Sequence, residues 1–175
     1  MGLWDQLNSV LQQYANNSGS GQAPGQVNQH FDQVAQAAPK SLVAEGLASA
    51  FRSSNTPDFG QMLGSLFSQS NGDQKAGILN QLLASAGPGV LSQVVGGGGG
   101  LASLLSGGAS QLSAAQAQQV TPEAVRQLAA HAEKADPSIV DRASSFYAEH
   151  PTLVKTLGGA ALTIAMAKMA ERTKA

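Results

Sequence analysis

PTLVKTLGGAALTIAMAKMAERTK, residues 151–174, reads as one last helix without a polar face over its central turns. At about 100° per residue, Leu153, Leu157 and Ile164 fall on one side and Leu162, Met166 and Met169 on the other. Gly158, Gly159, Ala160, Ala161, Thr163, Ala165 and Ala167 fill the arcs between them. A helix that is apolar all round must be buried all round. A terminal helix of a small domain gives one face to the core, so a second apolar face asks for a second partner. Three occupants are open: the helices of its own chain, another copy of the chain, or lipid. Between Lys155 and Lys168 the 12 residues from Thr156 to Ala167 carry no charge. They would span about 18 Å, short of the ~30 Å hydrocarbon core, so a membrane-spanning helix is not expected. Small residues at Gly158, Ala161 and Ala165 on one flank, and at Gly159, Thr163 and Ala167 on the other, would let neighbouring helices come close.

The rest of the chain is read around that helix. Of 175 residues only 21 are Asp, Glu, Lys or Arg, about half the usual ~25% share. A net charge of −1 lacks the basic footprint that neutralises phosphates, so nucleic acid is not an expected partner. With no cysteine, disulfides, thiolate metal sites and cysteine nucleophiles are all excluded. The first residues show neither a basic n-region nor an apolar h-region, and a cytoplasmic protein is expected, with membrane association as the alternative.

Charge is distributed unevenly. The 47 residues from Ala76 to Pro122 carry none, whereas 13 of the 21 charges lie in the last 55 residues, and 17 of 18 glutamines precede Thr121. This contrast suggests an N-terminal helical module over 1–95, an uncharged Gly/Ala/Gln-rich linker over 96–120 and a C-terminal three-helix module over 121–175. Gly96–Gly100 would be its flexible joint, because five glycines have too much backbone entropy to form a helix unaided.

Helical period and punctuation place the elements. Leu3, Trp4, Leu7, Val10, Leu11 and Tyr14 make one stripe opposite Asp5, Gln6, Asn8, Ser9, Gln12 and Gln13, a surface helix with one buried side. After an Asn16–Gly25 linker, Val27, Phe31 and Val34 mark a second helix from Pro24, and Leu42, Val43, Leu47 and Phe51 a third beginning at Pro39. Thr56-Pro57-Asp58 reads as a capped helix start leading into Phe59, Met62, Leu63, Leu66 and Phe67. Asn71-Gly72-Asp73 separates these from Ile78, Leu79, Leu82 and Leu83, a helix that should stop at Gly87-Pro88-Gly89. A short piece over Val90–Val95 and an apolar turn at Leu101, Leu104 and Leu105 flank the glycines, and Ser110–Gln119 has only weak helical preference. Thr121-Pro122-Glu123 opens another helix along Val125, Leu128, Ala129 and Ala132, and Asp136-Pro137 one along Ile139, Val140, Ala143, Phe146 and Tyr147. His150-Pro151 breaks to the last helix. No sustained alternation suggests strands. The expected fold is all-α, a bundle of about seven to nine short helices with a glycine-rich hinge and an apolar C-terminal helix.

Met1-Gly2-Leu3-Trp4-Asp5 before a leucine-rich amphipathic helix, and Gly60-Gln61-Met62-Leu63-Gly64-Ser65-Leu66-Phe67 leading to Gly77-Ile78-Leu79-Asn80-Gln81-Leu82-Leu83, resemble the bacterial DUF937/YidB-like proteins. The resemblance spans residues 1–106. It implies an all-α bacterial protein of uncharacterised function with no known cofactor or catalytic residues, so it transfers no site.

Chemistry is sparse. His30, His131 and His150 fall in three different segments, and position 135, four after His131, is alanine, so no helical zinc pair is present. The glycine tract lacks the Lys-Ser/Thr ending of a phosphate loop. Aromatic residues mostly fall on core stripes; Trp4, in the first turn of an amphipathic helix, also suits a membrane interface. No catalytic, cofactor-binding or metal-binding residue is singled out. The expected function is that of a non-enzymatic structural or interaction protein, self-associating through Leu153, Leu157, Gly158, Ala161, Leu162, Ile164, Ala165, Met166 and Met169. Its expected partner is itself or another helical protein. A peripheral membrane protein and a small-molecule enzyme are the alternatives.

Overall fold

In the computed structural model, residues 2–16, 24–87 and 111–174 are described, and among them every regular element is helical. The chain divides into two compact units whose sequences interleave: residues 1–57 with 144–175, and residues 58–143. The Val90–Val95 piece, the Gly96–Gly100 joint and the Leu101–Leu105 turn lie outside the described residues, as does most of the Asn16–Gly25 linker.

The first unit is built on the C-terminal helix. Helix α1 (Leu3–Asn16), α2 (Pro24–Ala37) and α3 (Lys40–Phe51) all pack on α10 (Gly159–Lys174). Leu7, Leu11 and Tyr14 of α1, Val27, Phe31 and Val34 of α2, and Val43, Leu47 and Phe51 of α3 are buried, as their helical spacing requires. Trp4 differs: on the same stripe as Leu11, it is 58% exposed.

The second unit contains α4 (Phe59–Gln69), α5 (Gly72–Ala86), the short α6 (Ala114–Ala117) and α7 (Pro122–Ala135). Helix α7 packs on α4 and α5, and α6 on α5. Helix α7 comes close to the backbone of α4: a Cβ on Gly60 would stand 2.7 Å from the backbone oxygen of Arg126, and one on Gly64 would stand 2.6 Å from Arg126 Cγ. Four of the helix starts are capped by residues beside them, and at α5, α7 and α8 they fall where the sequence places them. Asn71 and Gln74 form a reciprocal capping box at α5, Ser113 and Gln116 another at α6, and Thr121 accepts the Ala124 N–H ahead of a first-turn proline at α7. The Asp136 carboxylate accepts both the amide and hydroxyl of Ser138 ahead of α8 (Ile139–Ala148). The Ser138 hydroxyl, with Arg142 3.8 Å away, holds that carboxyl below its ordinary range. The boundary between the units, at 143/144, falls inside α8.

Two starts differ from expectation. Thr56 does not cap α4; its hydroxyl donates to the carbonyls of Ala50 and Ser53 at 2.6 and 3.0 Å, satisfying the end of α3, and α4 begins only after Asp58. The Ser110–Gln119 stretch is more ordered than its composition suggests. Asn80 of α5 grips the Leu112 backbone twice, accepting its N–H at 2.7 Å and donating to its carbonyl at 3.2 Å. Leu112, Ala117 and Val120 are thereby buried on the second unit.

Candidate interaction surface

The continuous helix expected over 151–174 is three pieces. Pro151 opens α9 (Pro151–Val154), a 3-10 turn follows at Lys155–Leu157, and α10 begins at Gly159. Between them Gly158 adopts φ +95°, a conformation that side-chain-bearing residues rarely take. The two arms are bent by 119°. Placing Leu153, Leu157 and Ile164 on one side of a single helix therefore does not hold. Among the described residues no single helix is long and apolar enough to cross a membrane.

Within its unit α10 has a fully covered face. Ala161, Leu162, Ala165, Met166, Met169 and Ala170 are all at most 2% exposed, in pairs that recur each turn. Approach to α3 is close: a Cβ on Gly46 would lie 2.6 Å from Ala165 O and 2.9 Å from Met169 Cγ. Ion pairs tie the arms of the break to the same neighbours, Lys155 to Asp32 of α2 at 2.9 Å and Arg172 to Glu45 of α3 at 2.8 Å. Both are partly exposed, and their worth is register more than stability.

Of the residues singled out for association, Leu153, Ala161, Leu162, Ala165, Met166 and Met169 are thus buried inside the chain's own unit, Leu157 and Ile164 are half-buried, and Gly158 is exposed. The other face of α10 remains at the surface. Ala160, Thr163, Ile164 and Ala167 border a groove of about 470 Å³ beside Ser49 and Asn55, closed at one end by the Lys168–Glu171 ion pair at 3.0 Å. Ile164 and Ala167 are half-buried there and no charge separates them. Ser49, Asn55, Ala160, Thr163 and Ala167 lie outside the residues expected to associate. The signal available was the i, i+4, i+7 spacing of Ala160, Ile164 and Ala167.

A smaller groove of about 310 Å³ lies between α1 and α2, with Leu7, Val10, Val34 and Ala37 at its floor and Gln6, Gln33 and Gln36 on its rim. The histidines stay apart in role. His30 shares a 2.8 Å hydrogen bond with the buried Tyr14 hydroxyl, His150 precedes α9 and packs on the Phe146 ring at 4.9 Å, and His131 lies on α7. Burial pushes the Tyr14 phenol above its ordinary value. Among the described residues, no group of three or more His, Asp or Glu is placed to hold a metal ion. Compared with protein-family models, curated proteins and solved structures, the chain matches none.

Proposed function

We propose that this chain is a non-enzymatic interaction protein that associates with itself through its C-terminal helix. The observation that carries the reading is the outer face of α10, where half-buried, uncharged Thr163, Ile164 and Ala167 border an open groove. One face of the helix is used within the chain, so association through α10 falls to this second face. Small side chains there permit another helix to approach to about 8 Å between axes. The resemblance of residues 1–106 to the DUF937/YidB-like proteins belongs to the same proposal and supplies no site. Molar mass in detergent-free solution, measured by light scattering across a concentration series, tests it. The expected result is a mass above the monomer that rises with concentration, and a monomer throughout rejects the reading.

A second reading, reversible attachment to a membrane surface, is favoured by one side chain. Trp4 is 58% exposed at the first turn of α1. It is the only tryptophan in the chain, so intrinsic fluorescence reports on it directly. Attachment through this side chain would shift the emission to the blue on mixing with vesicles of neutral or anionic lipid; an unshifted spectrum together with no co-sedimentation rejects it.

A further inference from the structure

We infer that two copies pair through α10 as an antiparallel, two-fold-symmetric helix couple with Ala160, Ile164, Ala167 and Glu171 as its seam. This inference rests on the self-association proposed above and specifies its geometry. The four residues are spaced i, i+4, i+7 and i+11, the repeat by which one helix presents a continuous seam to another. All four border the α10 groove, which Ser49 of α3 also lines, and none of them is among the fully buried residues of α10.

Self-complementarity comes from the order of the four. In an antiparallel couple centred between Ala165 and Met166, Ile164 of one copy meets Ala167 of the other, a large side chain against a small one, at two symmetric places. The same rotation sets Ala160 against Glu171. That end of the partner's helix starts after Gly158, which has no side chain with which to cap the first-turn amides. Glu171, paired with Lys168 at 3.0 Å and 66% exposed at its side chain, would exchange that partner for those amides and the positive end of the helix dipole. A parallel couple would instead set Glu171 against Glu171 and Lys168 against Lys168, like charges at the same level. Size and charge both select the antiparallel arrangement.

The chain has no cysteine, so single-cysteine variants report the geometry without background. Under mild oxidation Ala167→Cys, close to the axis, should cross-link to its own copy. Ala160→Cys should not, since the two copies of residue 160 would lie about 16 Å apart along the couple. A mixture of Ala160→Cys with Glu171→Cys should give the cross-linked heterodimer. Ala167→Glu should raise the dissociation constant at least about tenfold by burying an unpaired charge in the seam, with circular dichroism and the melting temperature checking that the fold persists. Self-cross-linking of Ala160→Cys, or a dimer indifferent to Ala167→Glu, overturns this pairing and leaves self-association by another geometry standing. A full-length chain monomeric at every concentration overturns both.

Discussion

Single atoms decide several features of this chain. Gly46 is buried against Ala165 and Met169, and an added Cβ would overlap a backbone oxygen that cannot swing aside. Gly46→Ala should therefore cost about 1–3 kcal/mol in chemical denaturation, by overpacking. Tyr14 gives a pH signature. Its phenol titrates higher in the fold than its ordinary 10.0, because burial penalises the charged form. The unfolded chain then releases this proton first as pH rises. The associated stability is complete below about pH 10 and is lost as pH climbs through the raised folded value. Thermal melts from about pH 9 to 11 should show a steeper fall for the natural chain than for Tyr14→Phe; parallel curves would dismiss Tyr14 as the source. Thr121→Ala should cost about 1 kcal/mol by removing the acceptor of the Ala124 amide. That cap was legible in Thr121-Pro122-Glu123 because capping acts within one turn. Thr56-Pro57-Asp58 has the same form, yet Thr56 is turned back to Ala50 and Ser53. Nothing in the triplet reveals that the end of α3 competes for its hydroxyl.

Among elements, the break at Gly158 has the largest consequence. It separates α9 from α10 and leaves α10 with a covered and an uncovered face, where an unbroken helix would have been apolar throughout. Gly158→Ala should destabilise the chain by about 1–3 kcal/mol, since alanine at φ +95° is strained even though nothing lies within 4 Å of the new Cβ. Equal stability of the variant would mean that the turn relaxes at no cost. Asn80 holds the stretch before α6 through one amide. Asn80→Ala should leave the Leu112 backbone unsatisfied and speed hydrogen exchange over residues 111–120 ahead of the rest of the second unit. The helical pieces themselves were legible from period and caps. The Asn80–Leu112 link was not, because it joins residues far apart in a sequence whose local composition is bland.

At the scale of the molecule, the units do not follow the contrast in composition on which the division at 1–95, 96–120 and 121–175 rests. Residues 144–175 belong with residues 1–57. A chain ending at His150 loses the helix on which α1, α2 and α3 pack, so it should lose helicity and cooperative melting over residues 2–57 instead of yielding a folded monomer. An undiminished melting transition in that truncation would contradict the packing. By itself the sequence determined the all-α class and most helix boundaries, together with the stripes of α1 to α5 and α7. Those depend on hydrogen bonds and side-chain periods confined to neighbouring turns. Only the tertiary structure decided that Trp4 stays exposed, that Gly158 turns the chain and that one side of α10 is taken by α1, α2 and α3. A glycine's φ and the covering of an apolar face depend on residues distant in the chain, and no local pattern carries that information.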